Sequence, residues 1–214
     1  MTYIIILNYN GWKDTIECLN SLSCIQEDCK IVLIDNKSTD DSIDKLEKWI
    51  QNQKELSSNL IFIKSSENNG YAAGNNIGIK YVESQEDAQF IWILNNDTLI
   101  QEDTFKNLIN CYKNLENENI ALLGSKILNE DFSIQSIGYL NSKYTEDEIK
   151  SKSSIEVEHI SGCSIFFRAD KIKEIGYIPE EYFLYYEETD WMKHIKQKGF
   201  KYRCFWFNGK RRDK

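Results

Sequence analysis

Through the first hundred residues, short unbroken apolar runs alternate with stretches in which apolar positions recur every third or fourth residue. Tyr3 to Leu7 reads as a strand and ends in the turn cluster Asn8-Tyr9-Asn10-Gly11. Ile16, Leu19 and Leu22 then fall on one face of a helix. Ile31 to Ile34 predicts a second strand that stops at Asp35. The loop Asn36-Lys37-Ser38-Thr39-Asp40 offers helix N-cap residues, and Ile43, Leu46 and Ile50 form the next apolar stripe. Leu60 to Ile63 is a third strand, a helix begins near Ala72, and Gln89 to Leu94 is a fourth strand. Strands with few charges, separated by amphipathic helices, predict an α/β fold in which a parallel sheet is covered on both faces.

The second half is less regular. Leu122 to Leu128, Ile134 to Tyr139, Ile155 to Ile160 and Ser164 to Arg168 read as strands, and Thr145 to Ser154 as an exposed loop. Glu187 to Lys198 predicts a helix that stops at Gly199. Phe200 to Phe207 and the basic stretch Lys210-Arg211-Arg212-Asp213-Lys214 end the sequence.

A length of 214 residues fits one domain, and 41% apolar with 28% charged residues is ordinary for a soluble protein. The net charge of -8 argues against nucleic acid as a general partner, though a local cluster of donors can still hold an acidic nucleotide. Six cysteines without any Cys-x-x-Cys pair predict reduced thiols and not a metal cluster. The N-terminus lacks the marks of a signal peptide and no apolar run reaches spanning length, so a cytoplasmic protein is expected.

Four segments could carry chemistry. Asn95-Asn96-Asp97-Thr98 follows the apolar run Phe90 to Leu94, which places a carboxylate at the rim of the sheet, where open α/β proteins bind ligands. Asp97 there suits a divalent cation, and a plain turn would use the same residues. Tyr9, Asn10, Asp35 and Asn36 end neighbouring strands and can converge on a nucleotide base, or simply cap helices. A dinucleotide fold would need Gly-x-Gly-x-x-Gly after the first strand, and only Gly11 is present. In Glu67 through Asn76, small residues permit close backbone approach and asparagines can bond sugar hydroxyls; a helix entrance is the plainer reading. Tyr182 through Trp191 sets aromatic residues beside Glu187, Glu188 and Asp190. Helix-dipole stabilisation explains such acids, and so does a desolvated general base.

Taken together and in order, these segments resemble the family 2 glycosyltransferases of GT-A fold, in particular the bacterial rhamnosyltransferase-like group. The resemblance rests on Ile5 through Trp12, Ile34 through Asp40, Glu67 through Asn76, Leu94 through Thr98, Ser161-Gly162-Cys163 and Tyr182 through Asp190. It implies a Rossmann-like, mostly parallel sheet and transfer of a sugar from a UDP-, GDP- or dTDP-linked donor to a hydroxyl of a glycan or lipid-linked acceptor, with inversion. By the same resemblance Asn8, Tyr9, Asn10, Asp35 and Asn36 hold the nucleoside. Asn68, Gly70, Asn75 and Asn96 join them on the donor side, and Gly162 lies near the donor sugar. Asp97 holds Mg²⁺ or Mn²⁺ as the one carboxylate at the family's Asp-x-Asp position. Glu188 is the implied base, in place of the family's aspartate, with Glu187 and Asp190 beside it.

The resemblance also implies a catalytic domain over residues 1–207 with a basic tail at 208–214. Family members continue to a further strand and a metal-binding histidine, so a shortened C-terminal side is expected. His159 and His194 do not match that histidine and read as surface or packing residues. A catalytically weak nucleotide-sugar-binding remnant is one alternative. A nucleotidyltransferase is another, although Asn8 through Lys13 makes a poor triphosphate loop. The basic tail reads as solvated, or as a peripheral attraction to anionic lipid at the inner face of the membrane.

Overall fold

Strand β1 (Thr2–Asn8), helix α1 (Trp12–Ser21), β2 (Cys29–Asp35), α2 (Ser42–Asn52), β3 (Leu60–Lys64), α3 (Gly70–Glu83) and β4 (Phe90–Asn95) follow one another in the alternation that the apolar pattern predicts. The computed structural model describes residues 1–22, 29–53, 57–115, 118–138 and 153–205. After β4 come α4 (Thr104–Asn114), β5 (Ile120–Ser125), a hairpin of β6 (Ile127–Leu128) and β7 (Ile134–Ser136), then β8 (Ser154–Glu156) and β9 (Ser164–Arg168). A short helix α5 (Ile172–Ile175), α6 (Glu187–Gln197) and β10 (Lys201–Phe205) complete the described elements.

One eight-stranded sheet runs in the order β3-β2-β1-β4-β9-β5-β10-β8. β1, β2, β3 and β4 are parallel neighbours, and β10 is parallel to β5. Only β9 and β8 run against the rest. The architecture is therefore a mostly parallel α/β sheet, as expected.

Side chains alternate between two cores. Ile4, Ile6, Leu33, Trp92 and Leu94 pack with residues of α1 and α4 on one face, while Tyr3, Ile5, Val32, Ile34, Ile91 and Ile93 pack with residues of α3 and α6 on the other. Burial on both faces removes any need for polar alternation, which is why these strands read as continuous apolar runs.

Several boundaries differ from expectation. The Leu122 to Leu128 run breaks after Ser125, where the Lys126 N–H donates to Phe205 O at 3.1 Å and the chain leaves to pair β6 with β7. Ile155 to Ile160 shortens to β8 because pairing with β10 ends at Glu156. Ile134 to Tyr139 stops at Ser136, and Tyr139, residues 145–152 of the exposed loop and the tail 208–214 lie outside the described residues. α4 has no counterpart in the expectations above, although Phe105, Leu108, Cys111 and Tyr112 supply a buried face at helical spacing.

Candidate active site

The ends of β1, β2 and β4 meet at one edge of the sheet through a chain of side-chain hydrogen bonds. Asn96 Nδ2 donates to Thr15 Oγ1 at 2.9 Å, and Thr15 Oγ1 donates to Asn8 Oδ1 at 2.8 Å. Asn8 Nδ2 donates to Asp35 Oδ2 at 2.7 Å, and Ser38 Oγ donates to the same oxygen at 2.6 Å. Asp35 Oδ1 accepts the Ser38 N–H at 2.9 Å. Asn8 and Asp35 are fully enclosed, so the fold uses them to set the loops above them. Thr15 and Ser38, neither of them an expected site residue, complete the network.

Asn10 fastens the first loop to the second. Its backbone is left-handed (φ 53°), a conformation asparagine tolerates, and its Oδ1 accepts the Thr39 N–H at 2.8 Å. Tyr9 beside it stays 47% exposed, its ring open to a ligand. Asn36 is buried; its Nδ2 donates to Asn68 Oδ1 at 2.9 Å and to Gly70 O at 3.1 Å, and its Oδ1 is enclosed without a partner among the described residues. Tyr9, Asn10, Asp35 and Asn36 thus lie together at neighbouring strand ends, and Asn68, outside that expectation, joins them through Asn36.

Gly70 opens α3 at φ 91°, and a Cβ there would stand 2.1 Å from Phe183 O. That contact brings the run before α6 onto the start of α3. Asn75, one turn along, donates to Tyr71 O at 3.0 Å, and its buried Oδ1 has no partner among the described residues. Asn76, whose neighbour was the expected ligand residue, is the structural one: it donates to Ile178 O at 2.8 Å and accepts the Ile178 N–H at 3.1 Å.

At the end of β4, Asp97 is exposed, and among the described residues its carboxylate meets no cation or hydrogen-bond donor. It borders a cleft of about 790 Å³ that Thr98, Lys126, Phe132 and Cys163 also line. No group of three metal-ligating side chains occurs among the described residues. The Asn95 N–H donates to Cys163 O at 3.0 Å, which joins the Ser161-Gly162-Cys163 loop to the β4 end.

That loop faces α6 on its other side. A Cβ on Gly162 would stand 3.0 Å from Glu188 Oε1, so the glycine leaves the space in front of this carboxylate. Glu188 is half-buried, while Glu187 is buried with Oε2 unpartnered among the described residues. Burial, aided by the charge of Glu188, pushes the Glu187 carboxyl above the usual range. Asp190 turns away toward His194, with Oδ2 3.8 Å from Nδ1. His159 is not remote from these acids: its ring nitrogen lies 3.1 Å from Thr189 Oγ1, and burial lowers its pKa against the pull of Glu188.

The model of the family described as glycosyl transferase family 2 matches residues 3–176, which contain every one of these strand ends. The chain belongs to glycosyl transferase family 2. Among curated relatives of this family, it is 26% identical over 209 residues to the low-salt glycan biosynthesis hexosyltransferase Agl10 of Haloferax volcanii, spanning 92% of this chain and 62% of that one. It is 28% identical over 168 residues to the minor teichoic acid biosynthesis protein GgaB of Bacillus subtilis, spanning 77% of this chain and 17% of that one. The chain thus covers less than two thirds of either relative. The GT-A fold appears in the mannosyltransferase PcManGT of Pyrobaculum calidifontis, solved with GDP-Man and Mn²⁺, at a TM-score of 0.65, 17% identity, 99% of this chain and 58% of that one.

Proposed function

We propose that this chain moves a hexosyl or deoxyhexosyl group from a nucleotide-diphosphate donor to an acceptor hydroxyl in glycan or polysaccharide synthesis, with residues 1–207 as the catalytic unit. One observation carries the reading. The Ser161-Gly162-Cys163 loop is bonded to the β4 end beside Asp97 and at the same time faces the Glu188 carboxylate across Gly162. The loop thus borders, at Cys163, the cleft that Asp97 lines and faces, at Gly162, the Glu188 carboxylate, beside the strand ends where open α/β sheets bind ligands.

In this reading the nucleoside lies over Tyr9, with Asn10, Asp35 and Asn36 shaping its bed, and the donor sugar lies over Gly162. Asn68, Gly70, Asn75 and Asn96 shape the donor side. Asp97 is the residue that would hold Mg²⁺ or Mn²⁺, with diphosphate oxygens and water as further ligands. Its exposed carboxylate, unpaired among the described residues, fits that role, and the metal would offset the charge of the departing diphosphate. Glu188 takes the proton of the acceptor hydroxyl as its oxygen bonds to the anomeric carbon. The bond from that carbon to the diphosphate breaks on the opposite face, which inverts the centre. The mannosyltransferase solved with GDP-Man and Mn²⁺ supports a nucleotide sugar and a divalent ion, and Agl10 supports a hexosyl group.

No helix of the described residues is long and apolar enough to cross a membrane. We place the reaction in the cytoplasm, on a glycan or lipid-linked acceptor, with peripheral contact at the membrane's inner face.

Calorimetric titration with UDP, GDP and dTDP, with and without Mn²⁺, tests the reading. One nucleotide should bind in a Mn²⁺-dependent way, and Asp97→Ala should weaken that binding by about tenfold or more. Binding of none of the three would leave a domain without a working donor site and overturn the proposal.

A further inference from the structure

Tyr71 bonds to three segments around the candidate base. Its backbone N–H donates to Phe183 O at 3.1 Å and so holds the run leading into α6. Its hydroxyl donates to Gly162 O at 2.9 Å. Its own carbonyl accepts Asn75 Nδ2 at 3.0 Å, within α3. A Cβ on Gly162 would meet Glu188 Oε1 at 3.0 Å and Tyr71 Oη at 3.5 Å, so hydroxyl, glycine and carboxylate form one tight group.

We propose that Tyr71 is a positioning residue: its hydroxyl fixes the Gly162 loop at a set distance from the Glu188 carboxylate, and so fixes the gap in which sugar and acceptor meet. This rests on the function proposed above. A phenyl ring alone would fill the same volume, so packing does not account for the hydroxyl. Burial, followed by the charges of Glu188, Cys163 and Glu187, pushes its pKa far up, and the group therefore keeps its proton and keeps donating at any working pH. Loss of that one bond frees the Gly162 carbonyl and lets the loop, with Cys163 at the edge of the cleft, drift from the base. Small misplacements of this kind act on the reacting geometry and leave nucleotide contacts alone.

The test is Tyr71→Phe, which keeps the ring. Nucleotide binding is compared by calorimetry, and turnover by release of nucleoside diphosphate from sugars of the nucleotide that binds, with water as acceptor. Alkylation of Cys163 by iodoacetamide is followed by peptide mass mapping. Nucleotide Kd and donor KM should stay within about twofold while kcat falls about tenfold. Cys163 should react at least about threefold faster, because its loop has lost an anchor. An unchanged Cys163 rate, or a raised KM with kcat intact, overturns the proposal. If no nucleotide binds the wild-type chain, the proposed function fails by itself, and the Cys163 rate still decides the placement of Tyr71.

Discussion

Glu188 and Glu187 are neighbours in sequence and differ in surroundings. Glu188 is half-buried behind a glycine that leaves room for a reacting group, whereas Glu187 is enclosed. In the proposed reaction, only the first is open to an acceptor hydroxyl. Glu188→Gln should leave nucleotide Kd unchanged and cut transfer by roughly 10²–10⁴-fold, the usual contribution of a general base. Turnover equal to wild type would remove Glu188 from that role. The segments that hold Asp97 and Glu188 stand out in the sequence because each is a residue-specific cluster at the end or start of an element. The bonds made by Thr15, Ser38 and Tyr71 do not stand out there, although Ser38 and Tyr71 lie inside such segments. A hydroxyl leaves no periodic mark, and the partner of Tyr71 lies 91 residues away.

At the scale of elements, the start of α3 and the run before α6 behave as one unit. Gly70 has φ 91° and would place a Cβ 2.1 Å from Phe183 O, so both conformation and space demand glycine. Beyond Phe183, Tyr185 and Tyr186 are left-handed too, at φ 71° and 73°, and both are exposed. Such residues persist only where flanking structure fixes them, here the Gly70 contact and α6. Gly70→Ala should destabilise the fold by about 2–4 kcal/mol in urea unfolding. A loss below about 0.5 kcal/mol would show that the contact yields freely. The first four strands could be read from the sequence because their apolar runs are unbroken. The second half could not be read as well, because its strands are short and their partners are set by tertiary pairing: β8 and β10 meet across about half a hundred residues, Arg203 opposite Glu156.

At the scale of the whole molecule, the buried Glu187 links stability to pH. Its folded pKa is raised, so between the ordinary glutamate range, about 4.3, and that raised value the folded state holds more protons than the unfolded chain. Its contribution to stability is therefore present at low pH and falls as pH rises through that window. Urea midpoints of Glu187→Gln and wild type should draw apart in favour of the variant from acid toward neutral pH. A difference that stays flat with pH would contradict the burial of a lone carboxyl. The fold class was plain in the alternation of the first half. The direction of β9 was not, because an apolar run of five residues reads the same either way.

That direction governs how the molecule is assembled. Trp92 Nε1 donates to Ser164 Oγ at 2.9 Å across 72 residues, the join between β4 and β9. A ribosome releases β1 to β4 first, and domains fold as their chain emerges. In that interval β4 is an unpaired sheet edge, the feature that invites association with another nascent chain. The half that carries β1 to β4 is thus finished early, and the seam stays open until β9 arrives to fill it.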